Sequence, residues 1–288
     1  MKRTVTAVLA LSCMAGLSAA HASQNFNLAI GQDFSTWTLL GDATTFNYNI
    51  PIVDSYLVLT HPGVGGEAGG AYAPTPYLID FNAAFQFDFR FFVAHGTTTA
   101  VQGDGLTFFM TGGIPALGNG GSDLGYGGSG MSGYAVAVDT FNFGSEPQAV
   151  SVQVLGNGDV APLAFTETGL PDIQPADYFQ WFGTVVYTPS NNNDEMGSLD
   201  FSIFQGFTGN TYSVSFSGAD FSGSEFDQYD IDSNYLGRGF YIGFTAGSGL
   251  ADDGHFIGSL TPVPEPETWA MLLAGLGFVG WVARRRPG

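Results

Sequence analysis

The stretch Gly133-Tyr134-Ala135-Val136-Ala137-Val138-Asp139-Thr140-Phe141-Asn142-Phe143 decides the fold. A run of small and apolar side chains ends on one carboxylate. Such a run suits a buried strand, and the strand delivers Asp139 to the rim where the chain leaves the interior. Two readings follow from the residues alone. Asp139 caps the next loop by accepting backbone N–H groups, or it holds a cation or ligand at the edge of a sheet.

Segments of the same kind flank it. Ala84 to Phe92 alternates phenylalanine with polar residues, Gly105 to Met110 is apolar, and Ala149 to Leu155 alternates valine. Gln180 to Tyr187, Gly197 to Phe204, Thr211 to Phe216 and Phe240 to Thr245 continue the pattern. Turn-rich segments such as Gly156-Asn157-Gly158-Asp159 and Ser190 to Asp194 separate them. Period-two aromatic and β-branched runs between Gly- and Asn-rich turns predict an all-β sandwich. No repeat of fixed period is present. The Gly-rich segment from Gly112 to Gly133 lies between two strands and reads as a long ordered loop.

The two ends have a different character. Residues 1–22 carry Lys2 and Arg3, then an apolar run, then Ala20-His21-Ala22 before Ser23, the layout of a signal peptide cleaved after Ala22. At the other end, Val263-Pro264-Glu265-Pro266 precedes an apolar stretch from Trp269 to Ala283, which Arg284, Arg285 and Arg286 close. That stretch gives about 22 Å of helix at about 1.5 Å per residue, short for a hydrocarbon core of about 30 Å. The predicted transmembrane helix 269–283 would place Trp269 and Trp281 at the two interfaces and leave the arginines cytoplasmic.

Between the ends, residues 23–264 hold 24 acids against two bases, Arg90 and Arg238, a formal net charge of −22. Such a field repels nucleic acid and anionic membranes and suits cations or neutral ligands. The single cysteine, Cys13, lies in the leader, so the mature chain has no disulfide or thiol chemistry.

The C-terminal segment 262–288 resembles the PEP-CTERM sorting signal of Gram-negative bacteria through Pro264, Glu265 and Pro266, the short apolar helix and the arginine cluster. The resemblance implies recognition by an exosortase, a transient membrane anchor, cleavage near the motif, and release to the cell surface or extracellular matrix.

Four segments in order resemble an L-type (legume-like) lectin domain, a concanavalin-like jelly roll, over residues 23–261. They are Gly103-Asp104-Gly105-Leu106-Thr107-Phe108-Phe109, Gly120 to Gly127, Ala135 to Asn142, and Tyr241 to Gly249 continuing into Leu250-Ala251-Asp252-Asp253-Gly254-His255. The resemblance implies that Asp104 accepts sugar hydroxyls after a cis peptide, that Gly121 offers a backbone N–H, and that Asn142 and Asp252 contact the sugar. From the residues alone, Asp104-Gly105 is a turn pair. The resemblance also implies a calcium ion held by Asp139, the Phe141 carbonyl, Asn142 and Glu146, with Glu146 where the family has an aspartate. Calcium takes six to eight oxygens at about 2.3–2.6 Å. The family's transition-metal ligands have no counterpart, because Ala137 stands where a glutamate would and Ser151 or Gln153 where a histidine would.

The expectation is therefore an exported carbohydrate-binding protein of the cell surface or exopolysaccharide matrix, with a glycan or exopolysaccharide as partner. The alternative is a structural matrix protein on a lectin fold without a sugar. Tyr126 or Phe141 could serve the sugar as an aromatic platform, and His255 reads as structural. Enzyme activity is not expected. Laminarinase-type hydrolases on this fold place glutamates around an aspartate on one strand, and here Ala137 and Asn142 occupy those positions. A retaining pair would need carboxyl groups about 5–5.5 Å apart. No cysteine nucleophile, serine elbow or His-Glu-x-x-His pattern replaces them.

Overall fold

The strand that begins at Phe85 shows how the residues make the sandwich. In Phe85–Ala94 the side chains of Phe85, Phe87, Phe89, Phe91 and Val93 all point into the core, while Gln86 and Asp88 face outward and bond to each other. Successive residues on a strand point to opposite faces, so this alternation commits one face of a sheet to the interior. The computed structural model describes residues 24–46, 53–96, 103–144, 146–173, 181–190, 195–206, 208–230 and 232–260. The expected signal peptide 1–22, the sorting motif at Pro264, Glu265 and Pro266, and the apolar stretch 269–283 lie outside them. Among the described residues there is no α-helix, and no helix long and apolar enough to cross a membrane.

Two sheets form. One has eight strands, in the order Thr211–Asp220, Met196–Gln205, Trp181–Pro189, Phe85–Ala94, Gly254–Leu260, Val53–Thr60 and Thr44–Phe46, with Gln24–Asn27 parallel to Phe85–Ala94. The other has nine, in the order Asp159–Glu167, Ser151–Gly156, Gly133–Asp139, Gly105–Thr111, Tyr235–Gly247, Ala68–Tyr72 and Thr38–Gly41. Asp227–Tyr229 and Tyr77–Leu78 add to Tyr235–Gly247. The segments read as strands from Ala84 to Thr245 are all strands here.

Phenylalanine fills the space between the sheets. Phe89 of the first sheet stacks on Phe108 of the second at 5.4 Å and 21°, and Phe85 stacks on Tyr187 at 4.8 Å. Offset aromatic pairs add about 0.5–1.5 kcal/mol beyond the area they bury. Gly183 makes room for one of these rings, since a Cβ there would lie 2.3 Å from the tip of Phe89.

Gly133–Asp139 is apolar throughout because both its faces are covered. Val136 and Val138 face the aromatic core. Ala135 and Ala137 face Leu124, Tyr126 and Met131, carried by the Gly-rich loop that folds back over the nine-stranded sheet. That loop is ordered, as expected. Tyr126 is 1% exposed within this second cluster, so it is not the aromatic platform that the sequence offered.

Register fixes where the chain ends lie. Gly105 pairs with both Asp139 and Gly247, so Asp104, Asp139 and the loop after Gly247 share one pole. Gly254 starts at that pole and Leu260 pairs with Val53 at the other, where Gln24 pairs with Phe85. Both ends of the described domain leave from the pole opposite Asp104.

Candidate functional site at the Asp104 pole

Asp104 follows a cis peptide from Gly103, as the resemblance implied. Its backbone is pinned on two sides: its N–H donates to the Gly247 carbonyl at 3.1 Å, and its own carbonyl accepts from Thr140 at 2.9 Å. The side chain is 4% exposed, and its Oδ2 has no hydrogen-bond partner among the described residues. Burial pushes the carboxyl up to about 6; the Gly249 amide opposes this, and Glu146 and Asp253 add to it. A buried acceptor without a well-formed donor costs about 1–3 kcal/mol; beside the Gly249 amide, which does not reach full hydrogen-bond geometry, this atom can take an O–H donor.

Two glycines flank it. Gly121 has φ +66°, which glycine adopts at little cost, and a Cβ there would stand 4.0 Å from Asp104 Oδ2. A Cβ on Gly249 would stand 3.0 Å from the same atom. The close approach to Gly247 also requires glycine, since a side chain there would meet Gly121 O at 2.6 Å. Thus Asp104 and Gly121 are brought together as expected. The last loop, however, brings Gly249 to Asp104, while Asp252 is buried with its carboxylate against Gly96. Exposed apolar side chains border the pole: Leu250 at 96%, Phe143 at 64% and Val64 at 44%.

Asp139 lies at the adjoining strand end. Its Oδ1 accepts from the Phe141 amide at 3.1 Å and its Oδ2 from Gln153 Nε2 at 2.8 Å. The loop-capping reading is therefore part of its role. Burial pushes its carboxyl up to about 7, with Glu146 and Asp104 adding to the shift against the two donors. Glu146 is itself raised by burial and by Asp123, while its Oε2 accepts from the Phe143 amide at 2.7 Å. Asn142 spends its amide N–H groups on the carbonyls of Glu146 and Pro147, at 2.8 and 2.9 Å, which leaves Oδ1 as its acceptor.

The donor chemistry fits calcium and no transition metal. The oxygens are hard and carry charge: Asp139, Glu146, Asn142 Oδ1 and the Phe141 carbonyl. Glu146 raises both Asp139 and Asp104, a conflict that a divalent cation relieves. Gln153 occupies the position where a histidine ligand would be needed, and its N–H bonds to Asp139 instead. Among the described residues no three His, Cys, Asp or Glu side chains form a metal cluster. A calcium ion here would rely on carbonyl, amide and water oxygens beside its carboxylates.

A second constellation was not anticipated. His95 Nδ1 lies 3.0 Å from Asp253 Oδ1, and its Nε2 lies 2.8 Å from Asp172 Oδ2. Asp253 Oδ2 accepts from the Gly103 amide at 2.8 Å. No local motif signals this group, whose members are 77 and 158 positions apart. His255 nearby is wholly buried beside the Thr60 hydroxyl at 2.7 Å, with its pKa pushed down to about 3 by burial. It lies wholly inside the fold.

The two-sheet sandwich has the fold of legume-type lectins. A Bauhinia forficata lectin in complex with GalNAc superposes with a TM-score of 0.56 at 19% identity, covering 81% of this chain and 93% of that one. Basic winged bean lectin with Tn-antigen gives 0.56 at 20% identity, over 81% and 96%. The exoplasmic/lumenal domain of VIP36 in its Ca2+/Man-bound form gives 0.51 at 18%, over 77% and 80%. Residues 262–286 match the PEP-CTERM protein-sorting motif. No curated protein matches the sequence.

Proposed function

We propose that this protein is an exported, lectin-like carbohydrate-binding protein of the cell surface or exopolysaccharide matrix, sorted by an exosortase through Pro264, Glu265 and Pro266. The observation that carries the reading is the buried, partnerless Oδ2 of Asp104 between Gly121 and Gly249. A carboxylate accepts hydroxyl donors from two directions, and the glycines let a sugar ring approach the backbone. Leu250 and Phe143 offer apolar surface to the C–H face of a sugar, and Asn142 stands beside them. Asp252 acts from beneath the loop and orders it against Gly96.

In this reading Asp139, Glu146, Asn142 and the Phe141 carbonyl hold calcium. The cation would fix the 139–146 loop and lower the charge that opposes ionisation of Asp104. The acidic mature chain suits a neutral ligand and excludes nucleic acid as a partner. The tail supplies the membrane contact before processing, and because it leaves from the far pole, the sugar site faces away from the membrane. Ala137 and Asn142 stand on the Asp139 strand where a glycoside hydrolase would pair carboxylates, which supports binding over cutting. Glycan-array binding of the purified protein in calcium, beside Asp104→Asn, tests the reading. Signal that the variant loses supports it; signal from neither protein overturns it.

A second reading, a structural surface protein without a sugar, is favoured by one observation. Both oxygens of Asp139 already have N–H donors, from Phe141 and Gln153. The loop can stand without a cation to that extent.

A further inference from the structure

The Asp104 loop is held from behind by a group that none of the metal ligands belongs to. Asp253 uses both its oxygens: Oδ2 accepts the Gly103 N–H, and Oδ1 faces His95 Nδ1. The far side of the ring, Nε2, faces Asp172 Oδ2. A neutral imidazole has one N–H and one lone pair, whereas the imidazolium donates from both nitrogens. With a carboxylate at hydrogen-bond distance on each side, only the imidazolium satisfies both contacts. A neutral ring would turn a lone pair toward one of the two carboxylates.

We propose that Asp253, His95 and Asp172 form a proton-charged clamp that positions Gly103, and with it Asp104, and that the clamp holds only while His95 is an imidazolium. The inference rests on the reading of Asp104 as the sugar-contacting residue and names the regulation of that site. Asp253 and His95 are positioning residues, which touch no ligand.

The surroundings agree in sign. Asp253 comes from the loop before Gly254–Leu260, and Asp172 from the segment after Asp159–Glu167. Asp252 lies against the adjacent Gly96. The other nearby imidazole, His255, is kept neutral by burial and by His95 itself, so no second cation competes. His95 is raised above its ordinary value: burial opposes this, and the bonds to Asp253 and Asp172 outweigh it. Asp253 is also raised, chiefly by burial, against the donors His95 and Gly103. The charged clamp therefore exists in a window, bounded below by protonation of Asp253 and above by deprotonation of His95. Asp104 feels the Asp253 charge directly, so the window also sets its readiness to accept hydroxyls.

The test is nuclear magnetic resonance on the purified protein between pH 5 and pH 9.5. Ring nitrogen shifts report the His95 protonation state, and amide exchange reports Gly103 and Asp104. The expected result is a His95 ring that is doubly protonated at pH 6 and titrates above 6.5. Exchange at Gly103 should then accelerate about tenfold beyond its intrinsic pH dependence as the ring deprotonates, the size of one lost charge-assisted bond. Asp253→Asn should show the fast exchange at every pH, and His95→Gln, which keeps one donor, should remove the pH step. Binding of GalNAc and mannose is followed in parallel. If either sugar binds, its affinity should fall with the same pH midpoint in the wild type and lose that midpoint in His95→Gln. If neither binds, the carbohydrate reading fails while ring shifts and exchange still decide the clamp. A His95 titrating at or below 6.5, or Gly103 exchange that ignores Asp253→Asn, overturns it.

Discussion

Two groups of buried and half-buried carboxylates meet at the Gly103–Asp104 peptide, and they live in opposite company. On one side Asp104, Asp139 and Glu146 have backbone amides and one glutamine but no positive charge, and burial drives all three upward. On the other side Asp253 and Asp172 have His95 between them. Burial costs a carboxylate its hydration in either place. The difference is that the second group carries its counter-charge within the fold and the first does not. A cluster of the first kind calls for a cation from outside or for a ligand that donates hydrogen bonds.

The largest effect should come from the partnerless atom. Asp104→Asn keeps shape but turns one acceptor into an N–H₂ donor. Sugar affinity should fall about 100-fold, because a buried charged acceptor contributes about 1.5–3 kcal/mol to its hydrogen bonds. Titration calorimetry with the best array glycan measures this.

Next is the stability of the cation-free protein. Asp139 is raised to about 7, so its stabilising contribution is complete below its unfolded pKa and disappears as pH rises through 7. Thermal unfolding in chelator should show stability falling from pH 5 to pH 8. Asp139→Asn cannot ionise, so it should flatten the slope and gain about 1–2 kcal/mol over wild type at pH 8. Calcium should restore the wild type and leave the variant unchanged.

The same comparison explains how much was legible in the sequence. The period-two phenylalanines of Phe85–Ala94 announced a core face, and the apolar run to Asp139 announced a strand covered on both sides. Thr38–Gly41, Thr44–Phe46 and Ala68–Tyr72 were not read, because short strands of Gly, Ala and Thr have no alternation to show. Asp159–Glu167 hid behind Pro162 and an alternation of exposed and half-buried residues, the composition of a sheet edge. In the site, Asp104, Gly121, Asp139, Asn142 and Glu146 carried local motifs, and each lies at the Asp104 pole. The His95 clamp carried none, since only the tertiary fold brings its three members together.

A smaller effect should separate the two groups by sign and site. His95 is raised, so its contribution is present below about 6.5 and is lost as pH rises through its folded value. His95→Gln should cost about 1 kcal/mol at pH 6 and nothing at pH 9.5, by denaturant unfolding in chelator. The smallest effect is expected at the opposite pole. Tyr229 and Tyr235 are each 57% exposed and meet edge to face at 5.6 Å. Tyr235→Ala should change stability by about 0.5 kcal/mol and leave calcium and sugar binding unaltered.

The most direct measurement is calcium calorimetry on chelator-stripped protein, with Asp139→Ala and His95→Gln alongside. The account predicts saturable binding in the wild type, binding retained in His95→Gln, and binding lost in Asp139→Ala. No heat in the wild type, or binding that survives Asp139→Ala, would contradict the claim that the Asp104 pole is completed by a cation.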